Sequence, residues 1–444
     1  MRCDKTEKNH NPAILDEFIL VSLSITTGRA RRRDCVPGGH YVIKTGGLLW
    51  HNGAIMASQN DRTVESRRAE SPHDPAAATE PGGDHAWEQR IAALPTEHPL
   101  RSAGVADSPL ISTLRGLPAA HTPVWFMRQA GRSLPEYRAA REGTGMLEAC
   151  LTPDLAAEIT LQPVRRHGVD AAIFFSDIVV PMKLASVAVD IVAGRGPVLD
   201  HPVRTAADVT ALPELPDSAL DPIREAVART VAELGDTPLI GFAGAPFTIA
   251  AYAVEGGPSR DHLRPRTMMH ADPASWTALA EWAARTSGAF LRAQVEAGAS
   301  AVQLFDSWAG SLSLADYEAH VQRHSADALA AVADLGVPRI HFGTGTGELL
   351  AAMRDAGADA VGVDYRIPLD VASQRLGGRT VVQGNIDPAL LAAPREVLHE
   401  HARDVLRRGR SAPGHVVNLG HGVPPETDPD VLSELVTFIH KETR

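Results

Sequence analysis

The sequence predicts an α/β protein, a single (β/α)8 TIM barrel over residues 106–444 that follows a disordered N-terminal extension over residues 1–105. Three observations predict this fold: eight short apolar, β-branched runs, amphipathic segments between them, and polar or glycine residues at the end of each run. Apolar runs separated by amphipathic helices indicate parallel strands that are buried on both faces. Eight such units favour a closed barrel over an open sheet.

The strand-like runs are residues 123–127, 171–177, 238–244, 301–307, 338–343, 360–365, 380–387 and 415–422. Helices are predicted at 153–167, 273–297, 314–335, 346–356 and 394–409. The interval 178–237 is long for one crossover, so we expect an added hairpin within 187–200 and a helix near 219–234. Because the spacing of the units is uneven, an open doubly wound sheet is the alternative fold.

The first 105 residues show no sustained helical or strand period, apart from a short helical segment at 86–94. The basic run Arg31–Arg33 fits a targeting or nucleic-acid patch, but the charged part of a disordered tail is the favoured interpretation. A translation start downstream of Met1 is a third explanation for this region.

The net charge of the chain is unevenly placed. Residues 1–105 contain 13 basic and 13 acidic residues, so the whole charge of −11 lies on residues 106–444. An acidic body argues against nucleic acid or a membrane surface as a partner. If this body binds an anion, it must do so with a local cluster of arginines.

The cysteines are Cys3, Cys35 and Cys150, which leaves the predicted barrel with one. That excludes a disulfide or a Cys-rich metal site within the barrel and fits a reducing cytoplasm. Residues 13–26 are mildly apolar but carry Asp16 and Glu17, and no small-residue cleavage site follows, so a signal peptide is not expected. No apolar stretch reaches the roughly 18–20 residues of a membrane helix.

Polar side chains gather at the predicted strand ends, where the active sites of such barrels form. They are Arg128, Gln129, Arg132, Asp177, Asp306, Ser307, Asp364, Asn385 and His421. Arginines, carboxylates and a histidine at one mouth predict an anion-binding site. The glycine-rich segment 343–347 is interpreted as a loop at this mouth and not as a nucleotide site, because Glu348 stands where the third glycine would be.

The first of these strand ends carries two arginines, Arg128 and Arg132, on either side of Gly131. Two planar guanidiniums so close together suit bidentate binding of carboxylates, and the glycine allows the backbone to approach a ligand. From the spacing alone, salt bridges to Glu136 or Glu142 explain the two arginines equally well.

The segment MRQAGRSLPEY (127–137) closely resembles the N-terminal signature of the uroporphyrinogen decarboxylase family, and GFAGAPFTIAAYAVEG (241–256) resembles its second signature. The blocks FFSDI (174–178), FDSWAG (305–310), QGNIDP (383–388) and NLGHG (418–422) resemble further family blocks in the expected order. The resemblance covers about residues 107–440. It implies removal of the four acetate carboxylates of uroporphyrinogen III to give coproporphyrinogen III, in porphyrin and haem biosynthesis, with no metal or organic cofactor.

The resemblance also implies roles for single residues. It identifies Asp177 and Arg128 as catalytic, with Asp177 binding the pyrrole nitrogens at the centre of the cavity. The expected substrate-binding residues are Arg128, Gln129, Ala130, Gly131, Arg132, Asp177, Tyr252, Ser307 and His421. Without the resemblance, a helix N-cap is the favoured interpretation of Asp177, and Tyr252 is equally well explained as a core residue. A homodimer with active sites near the interface is implied as well.

Two other functions compete with this one. Cobamide-dependent methyltransferases share the barrel superfamily, but their zinc is bound by His and Cys, and Cys150 is the one cysteine of the predicted barrel. A non-catalytic tetrapyrrole-binding protein is disfavoured because Arg128, Asp177 and His421 are all present.

Overall fold

A computed structural model of the chain describes residues 84–444 except for residue 193. The predicted disorder of residues 1–83, with Arg31–Arg33, therefore lies outside the described residues. Within them the strands are β1 (Ala172–Ile173), β2 (Val189–Val192), β3 (Gly196–Leu199), β4 (Leu239–Gly244), β5 (Ala301–Asp306), β6 (Arg339–Gly343), β7 (Ala360–Gly362), β8 (Val381–Gln383) and β9 (His415–Val416).

Seven of these strands form one parallel sheet in the order β1-β4-β5-β6-β7-β8-β9. The first strand-like run closes this sheet. Val124 forms a parallel bridge with Val417, and the Val417 N–H donates to the Pro123 carbonyl at 2.8 Å. On the other side, the Asp170 N–H donates to the Val124 carbonyl at 2.9 Å, two residues before β1. Residues 123–127 thus fill the eighth position, which confirms the barrel and excludes the open sheet.

Side chains inside the barrel can be recognised from a hydrogen bond between strands that are not neighbours. The Gln383 Nε2 on β8 donates to the Gln303 Oε1 on β5 at 2.8 Å. Gln383 also accepts a hydrogen bond from the Trp125 indole N–H at 3.1 Å. Because these strands are well separated in the sheet, all three side chains must point towards the barrel axis. Side chains two residues further along a strand share the same face.

The helices cover the outside of the sheet. They are α1 (Asp84–Ile91), α2 (Ala103–Ala106), α3 (Pro109–Leu114), α4 (Pro135–Ala140), α5 (Met146–Leu151), α6 (Pro153–His167), α7 (Val180–Leu184), α8 (Ala206–Thr210), α9 (Asp221–Leu234), α10 (Pro246–Glu255), α11 (Leu263–Ala271), α12 (Pro273–Glu296), α13 (Leu314–His320), α14 (Gln322–Ala330), α15 (Leu350–Asp355), α16 (Leu369–Arg375), α17 (Arg395–Gly409) and α18 (Pro429–Thr443). Short 3-10 turns lie at Pro99–Arg101, Asp217–Leu220, Ala309–Ser311, Ala333–Leu335 and Pro388–Ala392. No helix of the described part is long and apolar enough to span a membrane.

Most predicted helices are confirmed, and one is divided. Helix α6 begins with Pro153 and ends before Gly168, whose φ of 64° stops it, as such a glycine usually does. The predicted helix 314–335 is instead two helices that meet at Val321. The Trp276 indole donates to the His320 carbonyl at 3.0 Å, so a side chain from α12 engages the last carbonyl of α13 at this break. Helix 346–356 begins only at Leu350, after the glycine-rich loop.

The long interval between β1 and β4 contains the elements that the sequence predicts. Strands β2 and β3 pair antiparallel, from Val189 opposite Leu199 to Val192 opposite Gly196. Helix α9 follows over Asp221–Leu234. The added hairpin and the predicted helix are therefore both confirmed.

Residues 84–105, predicted to belong to the disordered extension, instead pack on the barrel. Leu94, Leu100 and Val105 are buried. The His98 Nε2 contacts the Val295 carbonyl at 3.0 Å and so joins this segment to α12. The packed part of the chain consequently begins about twenty residues before residue 106.

A cluster of three side chains joins the segments where the barrel closes. The Asp170 carboxylate contacts the Nε2 atoms of His121 and His440 at 2.7 and 2.8 Å, and it accepts the Val124 N–H at 2.8 Å. Burial acts to raise the pKa of Asp170, but the bonds from His440, His121 and Val124 outweigh it and leave the pKa below its ordinary value. The cluster connects the first run, the entry to β1 and α18.

Candidate active site

The loop that carries Arg128 is fixed by the side chain beside it. Gln129 is fully buried. Its side-chain Oε1 accepts the Phe126 N–H and its side-chain Nε2 donates to the Ala171 carbonyl, both at 3.0 Å. Both ends of this side chain are thus engaged within the protein. Gln129 therefore shapes the loop and holds it against the entry to β1.

Arg128 itself has a left-handed backbone, with a φ of 61°. A non-glycine residue in this region is strained, and such residues cluster at functional sites. A Cβ added at Gly131 would lie 2.9 Å from the Arg128 carbonyl oxygen. Gly131 was predicted to let the backbone approach a ligand. In the structure it is needed because the Arg128 backbone itself packs against it.

The Arg128 side chain crosses the last barrel segment at Gly422. A Cβ at Gly422 would lie 2.5 Å from the Arg128 Cδ and 2.8 Å from its Cγ. Only a residue without a side chain leaves room for the arginine stem in this position. The position of the Arg128 side chain is thus set jointly by the first barrel segment, which carries it, and the last, on which it packs.

The salt-bridge explanation of the two arginines is not what the structure shows. Glu136 pairs with Arg166 through contacts of 2.6 and 2.8 Å. Among the described residues, no carboxylate lies within ion-pair distance of Arg128 or Arg132. Both side chains are exposed, with Ala130 and Gly131 between them only partly buried, so the guanidiniums are accessible to an anion.

Arg141, a further arginine of this segment, is committed elsewhere. Its Nη1 donates to the Tyr137 hydroxyl at 2.7 Å and its Nη2 to the Thr144 carbonyl at 3.1 Å. Because these contacts occupy both terminal nitrogens, the Arg141 guanidinium is neither a solvent-exposed charge nor available to bind a substrate carboxylate.

Asp177 follows β1, with one carboxylate oxygen accepting the Val179 N–H at 3.0 Å. This is a bond within a turn; Asp177 does not cap α7, whose N-cap residue is Val179. The carboxylate keeps partial access to solvent but is surrounded by protein, as expected at the bottom of a cleft. Burial raises the pKa of Asp177, while the Val179 N–H and the Arg128 charge act in the opposite direction.

Tyr252 lies on α10 and shares the electrostatic environment of Asp177. Burial, together with the Asp177 charge, raises the pKa of Tyr252 to about 12, and Arg128 opposes the shift. The Tyr252 ring stacks on Trp308 with centroids 3.9 Å apart, and the His262 ring packs on the same Trp308 at 4.2 Å. The half-buried Ser307 precedes Trp308, and its carbonyl accepts the Thr344 hydroxyl at 2.7 Å.

Asp306, the residue before Ser307, faces away from this group. It is fully buried, accepts the Thr248 hydroxyl at 2.8 Å, and has an oxygen 3.6 Å from the His341 Nε2. Asp306 therefore ties the end of β5 to α10.

Three phenylalanines form an apolar floor beneath these side chains. Phe305 shares the inner face with Gln303, and its register partner on β6 is Phe342. Phe242 and Phe342 contact Phe305 edge to face, with centroid distances of 5.3 and 5.9 Å. The half-buried Phe305 thus presents an apolar surface below the polar groups of the mouth.

His421 follows β9, across the mouth from Ser307, and lies near Arg366, for which the sequence motifs predict no role. Burial lowers the pKa of His421, as do the charges of Arg128 and Arg366, while Asp364 acts to raise it. Arg366 directly follows the strand-like run 360–365, so its position was the one signal that could have found it. The structure therefore brings Arg128, Asp177, Tyr252 and His421 to one mouth. Ala130 and Arg132 follow Arg128 in the chain, and the Arg132 side chain is exposed.

The glycine-rich loop lies at this mouth, as predicted. The Gly345 N–H donates to the Asp364 carboxylate at 2.6 Å, and the Thr346 hydroxyl donates to the Gly343 carbonyl at 3.1 Å. These groups are occupied within the protein, which agrees with a structural loop and not with a phosphate cradle.

Two side-chain groups in the described part have donor sets that suit a metal ion. They are His121 with Asp170 and His440, and His270 with Asp316 and His320. Neither group contains Cys150, which is buried on α5. Burial raises the pKa of the Cys150 thiol above its ordinary value. The thiol ligand of a methyltransferase zinc site is therefore not assembled from the described residues.

The fold and the site define an enzyme of the α/β-barrel class, whose mouth brings arginines and the Asp177 carboxylate together above an apolar floor. A family model described as uroporphyrinogen decarboxylase matches residues 106–442. A uroporphyrinogen decarboxylase of Arthrobacter sp. is 71% identical over 335 residues, which cover 76% of this chain and 97% of the relative. One of Leifsonia xyli subsp. xyli is 60% identical over 371 residues, covering 79% and 98%. The chain belongs to the uroporphyrinogen decarboxylase family, as its sequence motifs predict.

Among solved structures, a methyltransferase from Methanosarcina mazei has a similar fold. The TM-score is 0.65 at 19% identity, and the match covers 76% of this chain and 99% of that one. At this identity the likeness supports the barrel alone.

Proposed function

We propose that the chain decarboxylates the four acetate side chains of uroporphyrinogen III to methyl groups and gives coproporphyrinogen III, in porphyrin and haem biosynthesis. Family membership over residues 106–442 supports this reaction. The observation in the structure that carries it is the Asp177 carboxylate, which is partly accessible beside Arg128 and contacts no cationic side chain of residues 84–444. A ring of pyrrole N–H groups with negatively charged arms matches that arrangement.

The substrate itself supplies the electron sink for this reaction. Protonation of a pyrrole ring carbon gives a cation. The bond between the acetate methylene and its carboxylate carbon then breaks, CO2 leaves, and the electron pair neutralises the ring. A proton added to the methylene carbon completes the methyl group, and loss of the first proton from the ring restores the pyrrole. We therefore propose that no metal or organic cofactor takes part.

Asp177 stabilises the cation in this proposal. Its carboxylate accepts the pyrrole N–H groups and faces the positive charge that develops on the ring. The raised pKa means that the empty site holds the negative charge unfavourably. N–H donors and a ring cation relieve that cost most in the transition state, which is the requirement for catalysis.

The remaining residues bind the charged arms of the substrate. Arg128 and Arg132 hold carboxylates, and Arg128 also offsets the charge of the reacting group; its guanidinium is too weak an acid to donate a proton unaided. Tyr252, Ser307 and His421 donate hydrogen bonds to further carboxylates. Gln129, Ala130 and Gly131 set the loop that presents the two arginines.

We also propose that the chain acts in the cytoplasm as a homodimer, with neither nucleic acid nor membrane as a partner. The single cysteine of the barrel supports the cytoplasmic location. The acidic charge of residues 106–444 argues against nucleic acid and membranes as partners. Resemblance to the family supports the homodimer.

The test is an anaerobic assay of the purified protein with uroporphyrinogen and no added metal or cofactor. We expect coproporphyrinogen to accumulate. Binding of the substrate by well-folded protein without any release of CO2 would instead identify a tetrapyrrole-binding protein and refute the enzyme.

A further inference from the structure

Arg366 is a further arginine at the rim, and the proposed mechanism leaves its guanidinium unused. It follows β7, and its side chain is 52% exposed. Its Nη1 pairs with the Asp364 carboxylate, its backbone N–H donates to Asp364 Oδ1 at 3.1 Å, and its guanidinium lies 4.6 Å from the Tyr365 ring centroid. In the described part of the chain, Nη2 and Nε have no protein partner, so two donors remain for a ligand.

Asp364 holds this guanidinium in a fixed position. The Asp364 side chain is 3% exposed and accepts the Gly345 N–H at 2.6 Å. Its carbonyl accepts a hydrogen bond from the Asn385 amide at 2.8 Å. Because one loop holds the Asp364 carboxylate and another holds its backbone, Asp364 orients the arginine before any ligand arrives, which lowers the entropy lost on binding.

The Arg366 loop touches the segment that carries His421. A Cβ at Gly420 would lie 2.2 Å from the Tyr365 backbone nitrogen, so the two loops are in direct contact. His421 comes next in the chain, and then Gly422, over which the Arg128 stem lies. Arg366, His421 and Arg128 therefore follow one another along a single continuous rim, and the charges of both arginines reach the imidazole.

We propose that Arg366 binds a carboxylate of the substrate through Nη2 and Nε, and is a positioning residue of the decarboxylation; this inference rests on the proposed function. A macrocycle anchored by its pyrrole nitrogens at Asp177 extends its carboxylates towards the rim. In a body of charge −11, each of them needs a local cation. Arg366 supplies one next to His421. The carboxylate it binds is one that is not reacting, so the contact is the same in ground state and transition state.

The kinetic test compares Arg366→Gln and Arg366→Lys with Arg403→Gln. Arg403 is a matched control, because it is 53% exposed, pairs with Glu442 and lies over the Phe438 ring at 4.9 Å, but belongs to the outer helix α17. Loss of a contact made equally in both states raises KM and leaves kcat unchanged. We expect R366Q to raise KM about tenfold or more with kcat within about twofold, R366K to be intermediate, and R403Q to match the wild type. Equal KM values for R366Q and R403Q would overturn the proposal, as would a loss in kcat alone.

A second measurement does not need turnover. Fluorescence titration with uroporphyrin, the oxidised and unreactive octacarboxylate, should show at least tenfold weaker binding to R366Q than to R403Q. An NMR titration should show that R366Q raises the pKa of His421, since a nearby positive charge is removed. If the wild type fails to decarboxylate but these two effects appear, the proposed reaction is wrong while the carboxylate contact stands. If the wild type decarboxylates and neither effect appears, the role of Arg366 is wrong.

Discussion

At the residue scale, the site separates two kinds of charge. The Asp177 carboxylate lies at the bottom of the mouth, where one of its oxygens accepts the Val179 N–H. The arginines Arg128 and Arg366 lie at the rim. A negative centre surrounded by a positive rim matches a macrocycle whose N–H groups point inward and whose carboxylates point outward. In the described part of the chain, neither Asp177 nor Arg128 has an oppositely charged partner within ion-pair distance, so both side chains are available to the substrate.

The substitution Asp177→Asn tests the negative centre. We expect the rate of decarboxylation to fall by about two to three orders of magnitude, because a preorganised charge facing the transition state is lost. The fold should persist, since the asparagine carbonyl can still accept the Val179 N–H. Single-turnover kinetics measure the rate, and thermal unfolding checks the fold. A variant that works at a near-normal rate would show that Asp177 does not stabilise the ring cation.

At the element scale, the site depends on loops that pack against one another. The Arg128 loop leans on the segment after β9, the segment 364–366 touches the same segment from the other side, and the glycine-rich loop holds Asp364. Each loop is short and bonded to its neighbour. Small residues at these contacts consequently decide where the arginines stand.

Gly422→Ala is expected to disturb the site without unfolding the barrel. Gly422 does not need a positive φ, so alanine fits the backbone, but its Cβ would lie 2.5 Å from the Arg128 Cδ. Displacing a guanidinium by about 1 Å should lower kcat/KM by about tenfold to a hundredfold. Steady-state kinetics are the measurement. Gly145→Ala is the control, because its Cβ would meet nothing closer than 3.8 Å; an equal effect of the two variants would contradict this account.

Most helices and strands could be predicted from the sequence, because each has a hydrophobic period that is visible within a short segment. Strand ends and family motifs predict Asp177, Arg128 and His421 as site residues, and their roles remain predictions. Gln129 is likewise predicted to bind the substrate, but the sequence does not show that its side chain holds the backbone at Phe126 and Ala171. Arg366 and the stack of Tyr252 on Trp308 were missed, since both depend on contacts between loops that are distant in sequence. The break at Val321 likewise depends on an indole from another helix.

At the scale of the whole molecule, the barrel closes between its first and last segments. Asp170, His121 and His440 join those segments to α18, and the carboxylate is mostly buried. A buried carboxylate that accepts three hydrogen bonds stabilises the fold only while it is ionised.

Asp170→Asn should lower the free energy of unfolding by about 1–3 kcal/mol at pH 7. The pKa of Asp170 is below its ordinary value of 3.8 in the folded protein, so its contribution is complete above that pH. The contribution is lost as pH falls through the folded pKa, and the difference between wild type and variant should shrink below about pH 4. Urea unfolding between pH 7 and pH 3 measures this. Asp154→Asn, which removes an exposed pair with Arg229, should change stability by less than about 0.5 kcal/mol; a similar loss in both variants would contradict the role of the cluster.

The position of the Arg128 stem over Gly422 ties the site to the closure of the barrel. The Met127 N–H donates to the Asn418 side chain at 2.9 Å, 291 residues away in the sequence, and the Val423 N–H donates to the Met127 carbonyl at 2.9 Å. A chain can form its local helices and strands and still lack the wall that orients Arg128. We therefore expect substrate turnover to report that these two distant segments have met, which a measurement of helix content does not reveal.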